Sequence, residues 1–133
     1  MSVGSVKVSD RRRRGGAWCQ RIPGVHFRGI TTEILVFIAI LDFKATDRAA
    51  ALAQLDGEGD RVRAMPGNVA FRVYASRADD AAVAVIHEWD DEASFAGYLR
   101  SGSFARLGEV LRPMMVGAPV SRRFNADLLE TVA

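Results

Sequence analysis

Eight consecutive apolar residues, Ile34 to Leu41, constrain this chain more than any other feature. A helix needs roughly 20 apolar residues to cross a bilayer, so the run cannot span one. It is also short for a buried helix, and β-branched and aromatic residues dominate it. Ile34–Phe43 therefore reads as a strand covered on both faces. Such a strand needs a packed layer on each side. A chain of 133 residues can bury one core but not two. Its own helices can supply one layer, and a second copy of the chain is the simplest source of the other.

Residues 45–133 supply the helices and the rest of a sheet. Asp47 can cap a helix whose apolar stripe runs through Leu52, Leu55, Val62 and Met65, with Gly57 and Gly59 weakening its middle. Pro66-Gly67 stops it. Asn68 to Ala75 alternates: Val69, Phe71, Val73 and Ala75 on one face, Asn68, Ala70, Arg72 and Tyr74 on the other. A polar turn at residues 77–80 leads to an antiparallel partner strand, Ala82 to Trp89. Asp90, Asp91 and Glu92 place acids at the positive end of a second helix with Phe95, Tyr98 and Leu99 on its apolar side. Ser101-Gly102-Ser103 breaks it. Phe104, Leu107, Val110 and Leu111 mark a further short helix closed by Pro113, and Val120 to Phe124 is the last strand. Residues 125–133 are expected to form a short helix or an arm.

The order β-α-β-β-α-β predicts an α+β, ferredoxin-like fold with an antiparallel sheet and its helices on one face. The other face then stays open unless something packs on it, which predicts a homodimer through the sheets.

Charge divides the chain. Residues 1–28 hold seven basic residues and one acid, a net of +6, while residues 29–133 hold eleven basic and fifteen acidic residues, a net of −4. The four arginines Arg11–Arg14, the Gly15-Gly16 pair and the lack of periodicity read as a flexible basic extension before a domain at 29–133. Nucleic acid is not an expected partner, because the domain itself is mildly acidic. The single cysteine, Cys19, cannot form an internal disulfide, and the apolar run lies far from Met1 behind a polar segment. A cytoplasmic protein with no membrane contact is the expectation.

Cofactor signatures do not appear. Two histidines, His26 and His87, and one cysteine give no metal-ligand spacing. No phosphate-cradling glycine loop and no G-x-S-x-G elbow occurs. Neither a metal nor an organic cofactor is expected.

At Pro66-Gly67-Asn68, at residues 87–93 (His-Glu-Trp-Asp-Asp-Glu-Ala) and at Ser101-Gly102-Ser103-Phe104, the chain resembles the antibiotic-biosynthesis (quinol) monooxygenase family, a group of dimeric α+β barrels. In that family a strand ends in acid-x-Trp, an acid-rich helix start comes next, and a Ser-x-His-Phe turn precedes a helix and a final strand. The resemblance covers about residues 34–124. It implies a cofactor-independent monooxygenase that oxidises a polycyclic aromatic or quinol-type small molecule with O2. Two alternatives share the fold: a non-catalytic small-molecule-binding or dimerisation module, and a haem-degrading relative. The haem reading wants an axial histidine on the helix after Phe104, and residues 105–112 contain none. Two positions depart from the family pattern. His87 stands where an acid is common, and Ser103 replaces the histidine of the turn.

These residues supply the candidate site. His87 and Trp89 share a strand face. Histidine is the side chain most readily tuned to take a phenolic proton, although a hydrogen-bonded interior or interface histidine is the simpler reading; Trp89 offers a flat wall for an aromatic ring, and plain core packing explains it equally simply. Asn68, Arg72 and Tyr74 can converge on a substrate oxygen, or can be solvated or lie in a dimer seam. Ser103 and Phe104 complete the expected substrate-binding set.

Overall fold

The computed structural model describes residues 35–133. Strand β1 (Leu35–Lys44) leads into helix α1 (Arg48–Arg63), and β2 (Asn68–Ala75) and β3 (Ala82–Trp89) form a hairpin. Helices α2 (Glu92–Leu99) and α3 (Gly102–Leu111) come next, then a 3-10 turn (Arg112–Met114) and β4 (Val120–Asp127). The four strands make one antiparallel sheet in the order β2-β3-β1-β4. This is the expected ferredoxin-like α+β arrangement. The expected basic extension at 1–28 lies outside the described residues.

Strand registry stacks the helix-facing side chains in rows across the sheet. One row runs Asn68, Trp89, Phe37, Asn125; the next Phe71, His87, Ala39, Arg123; the third Val73, Val85, Leu41, Ser121. The core closes where α1 sets Ala51, Leu55 and Val62, and α2 sets Phe95 and Tyr98, on these rows. The α1 stripe thus runs Ala51-Leu55-Val62, and Leu52 and Met65 are only half-buried at its edge.

Local chemistry explains the element ends. Asp47 caps α1 by accepting from the Ala50 N–H, and Asp91 caps α2 by accepting from Ser94. Ser101 ends one helix and starts the next: its Oγ donates to the Tyr98 carbonyl and accepts from the Phe104 N–H. Helix α1 runs on through Gly57 and Gly59 because Gly59 makes room for Arg63. A Cβ there would lie 2.9 Å from that guanidinium, which donates to the Phe71 carbonyl and ties α1 to β2. Gly67, at φ +83°, makes the turn into β2, and a Cβ there would overlap Ser94.

Two expectations need correction. Strand β2 carries a bulge between Asn68 and Ala70, so alternation fails at its start. Val69 is the extra residue, 54% exposed, and Asn68 turns to the helix side opposite Trp89 while Arg72 and Tyr74 stay on the open side. The three cannot converge. At the other end of the chain, β4 continues to Asp127, and residues 128–133 have no regular structure.

The sheet face away from the helices is apolar at its centre. Val36, Ile38 and Ile40 of β1, Ala84 and Ile86 of β3 and Phe124 of β4 lie together there. Two ion pairs flank them, Arg72–Glu88 at 3.6 Å and Arg122–Asp42 at 3.8 Å.

Candidate functional site

Between the helices and the helix-facing rows lies a cavity of about 450 Å3, within the range of small-molecule sites. Leu41, Phe71, Val85 and His87 form its sheet side. Leu55 of α1, Tyr98 of α2, and Phe104, Leu107 and Leu111 of α3 wall it. Arg112, Met115, Gly117 and Pro119 lie at the end where α3 gives way to β4. The lining is almost wholly apolar and aromatic, and His87, Tyr98 and Arg112 supply its polar side chains among the described residues.

His87 sits in an aromatic cage. Its ring centroid lies 5.6 Å from Phe71, 5.6 Å from Phe95 and 5.4 Å from Tyr98. The Trp89 indole Nε1–H donates to His87 Nδ1 at 2.8 Å. Burial, with the positive charge of Arg123 adding to it, pulls the His87 pKa down to about 4. The imidazole is therefore neutral at neutral pH. Two rows of the sheet make this contact: Trp89 lies two residues after His87 and so stands beside it on one face. The neighbours of His87 across the sheet are Phe71 on β2 and the small Ala39 on β1.

Burial, and then the nearby Glu58 charge, push the Tyr98 hydroxyl up to about 12, so it stays protonated. Glu58 lies behind the cavity lining. Arg106 donates to both of its oxygens, at 2.7 and 3.2 Å, and Arg61 reaches it at 3.2 Å. The Arg106 hydrogen bonds hold the carboxyl down at about 2, outweighing its burial. Among the described residues, no group of three or more His, Cys, Asp or Glu is placed to hold a metal ion.

The sequence model of the antibiotic biosynthesis monooxygenase family matches residues 34–109, more than half of the chain. The chain belongs to that family. Solved structures agree on the fold. An antibiotic biosynthesis monooxygenase crystal structure aligns with TM-score 0.63 at 17% identity, over 68% of this chain and 97% of that one. A protein from Mycobacterium tuberculosis aligns with TM-score 0.65 at 16% identity, over 73% and 99%. A conserved protein from Methanosarcina mazei gives TM-score 0.66 at 14% identity, over 70% and 94%. No curated protein matches the sequence.

The expected site residues separate in the fold. His87 and Phe104 line the cavity. Trp89 does not; it is fully buried behind His87 and touches the site through its hydrogen bond. Asn68 donates to the Ala70 carbonyl of its own strand at 3.3 Å. Arg72 pairs with Glu88 on the open face, and Tyr74 is 48% exposed there. Ser103, at the position of the family's turn histidine, faces away from the cavity. It is buried on the Arg106–Glu58 pair, where its Oγ accepts from Arg106 at 3.4 Å. His87 faces the cavity with Nδ1 accepting from Trp89 and with its pKa pulled down by burial.

Sequence reasoning missed Tyr98, Arg112 and Glu58. Tyr98 carried a signal: three residues after Phe95 on an apolar helix face, it is the one residue of that stripe with a polar end. Arg112 and Glu58 read as ordinary solvated charges, and only the crossing of α1 and α3 brings Glu58 inside.

Proposed function

We propose that the chain is a cofactor-independent monooxygenase whose site is the cavity between helices and sheet, acting on a polycyclic aromatic or quinol-type small molecule. The observation that carries this is the cavity itself: apolar, aromatic-walled, large enough for fused rings, with the neutral side chains of His87 on its sheet side and Tyr98 on its helix wall. Family membership supports the reaction class. The ionised substrate passes electrons to O2, a C–O bond forms, and loss of water from the resulting peroxide leaves a ketone. One oxygen atom ends in product and one in water, so the substrate is the only reductant required. The protein's part is to exclude bulk water, orient the ring against Phe71 and Phe104, and hold the developing oxyanion with hydrogen bonds.

The test is oxygen uptake by metal-free protein with hydroxylated anthrones and naphthoquinols, without added flavin or nicotinamide. Uptake above the uncatalysed rate supports the reading. Binding of these compounds without uptake favours the second reading, a non-catalytic binding module. Ser103 speaks for that alternative, since the side chain at the family's histidine position serves the Arg106–Glu58 pair and not the cavity.

The same reading includes a homodimer that covers the open sheet face, a cytoplasmic location, and a division into a basic extension at 1–28 and the family domain at 29–133. Among the described residues no helix is long and apolar enough to cross a membrane.

A further inference from the structure

An indole N–H can only donate. Trp89 donates to His87 Nδ1 at 2.8 Å, so that nitrogen holds a lone pair. A neutral imidazole carries one proton, which must then sit on Nε2. Protonating Nδ1 would turn one N–H against another inside a cage of Phe71, Phe95 and Tyr98. Among the described residues no protein group is hydrogen-bonded to Nε2, and His87 lines the cavity. What His87 offers a ligand is therefore a donor.

The other charged and titratable groups around it fit the same picture. Tyr98, from α2, keeps its proton. Arg123, from β4, lies over the Phe95 ring at 4.9 Å on the flank of His87 and adds positive charge. Glu58, from α1, is held by Arg106 and Arg61 and does not line the cavity. Arg112, at the end of α3, lines the cavity and has only donors. It lies against Gly108, where a Cβ would come within 2.8 Å of its guanidinium. The other two arginines seated on glycines this way, Arg63 on Gly59 and Arg106 on Gly102, donate to protein oxygens. Among the described residues no carboxylate, lysine or cysteine lines the cavity.

We propose that Trp89 is a positioning residue that locks His87 as a hydrogen-bond donor, and that the cavity takes its aromatic ligand as a preformed anion. The ligand class is acidic phenols, hydroxyquinones and enolates already ionised in water; the site does not remove the proton. This rests on the small-aromatic reading of the cavity and not on the oxygen chemistry.

The experiment uses the full chain and two probes of nearly equal shape: a hydroxynaphthoquinone whose hydroxyl is ionised at pH 7.5, and the parent naphthoquinone without it. A donor to a charged oxygen is roughly twice as strong as one to a neutral oxygen, so calorimetry should give at least ~10-fold tighter binding of the anion. Trp89→Phe keeps a ring and removes the N–H. It should cut that preference several-fold while leaving the neutral probe's affinity in place. Nitrogen-15 NMR of wild-type His87 should show the proton on Nε2, and a mixture of tautomers in Trp89→Phe. Equal affinity for the two probes, binding of neither, an Nδ1–H tautomer in the wild type, or full anion preference in Trp89→Phe would each overturn the proposal. Oxygen uptake is not among the readouts, so the proposal and the oxygenase reading fail separately.

Discussion

Among the described residues, His87 is the group through which lowering the pH from 7 to 5 should destabilise the fold. The imidazole titrates near 6.5 when the chain is unfolded and near 4 in the fold. The folded state therefore binds fewer protons between those values, and stability rises with pH there. The contribution is fully present above about 6.5 and is lost as pH falls toward 4. One proton over that interval corresponds to roughly 3 kcal/mol in full, at about 1.4 kcal/mol per unit, and to about 2 kcal/mol between pH 7 and 5. His87 is only 5% exposed, so little screening discounts the figure. Glu58, held near 2 by Arg106, contributes in the same direction but only below its ordinary value of 4.5. Among the described residues the window from 7 to 5 thus separates His87 from Glu58. Urea unfolding at fixed protein concentration measures the change. His87→Asn places an amide oxygen close to the Nδ1 position, where it can accept from Trp89 without titrating, and should flatten the profile. A wild-type stability that is level from pH 7 to 5, or an Asn variant that falls in parallel with it, would refute the reasoning.

Three further outcomes derive from the fold. Light scattering should give about twice the 14.5 kDa chain mass, and Ile86→Lys, a charge at the centre of the open sheet face, should yield a monomer; a wild-type monomer at micromolar concentration would sink the proposed dimer. Gly67→Ala should cost more than ~1 kcal/mol in thermal unfolding, because residue 67 has φ +83° and a Cβ there overlaps Ser94. Gly108→Ala should gain up to ~1 kcal/mol of helix propensity while weakening anionic ligands, since the new Cβ displaces the Arg112 guanidinium; equal affinity in that variant would remove Arg112 from the site.

Most of the fold is legible in the sequence because hydrophobic periodicity survives wherever one face of an element is buried. The alternation of Val83, Val85, His87 and Trp89 is the observed burial pattern of β3. Asp47 is a cap by its chemistry and accepts the expected N–H bond, and the acidic start read at residues 90–92 holds the cap of α2, Asp91. Period alone cannot see the bulge at Asn68–Ala70. No residue type there marks it, and a one-residue insertion reverses every face assignment on one side of it. Strict alternation therefore groups Asn68 with Arg72 and Tyr74, on a face the fold does not give it. Long-range pairing is invisible for a related reason. Glu58 and Arg106 are 48 residues apart, and each by itself reads as a solvated helix charge.

His87 and Trp89 show how far strand position can set chemistry. Both are legible as members of one face, and that spacing suggests two independent parts, a base and a wall. In the fold the same spacing makes them one unit. Side chains two apart on a strand are neighbours, and in this pair one can only donate while the other can accept at one nitrogen only when its proton sits at the other. Burial then removes the option of a charged ring. An acid at position 87, as is common in the family, would bring a proton acceptor to the cavity. Histidine beside a donating tryptophan brings a donor instead. The departure from the family pattern at residue 87 therefore bears on which protonation state of a ligand the cavity can hold, while the departure at Ser103 falls on the contact between α1 and α3 and leaves the cavity lining as it is.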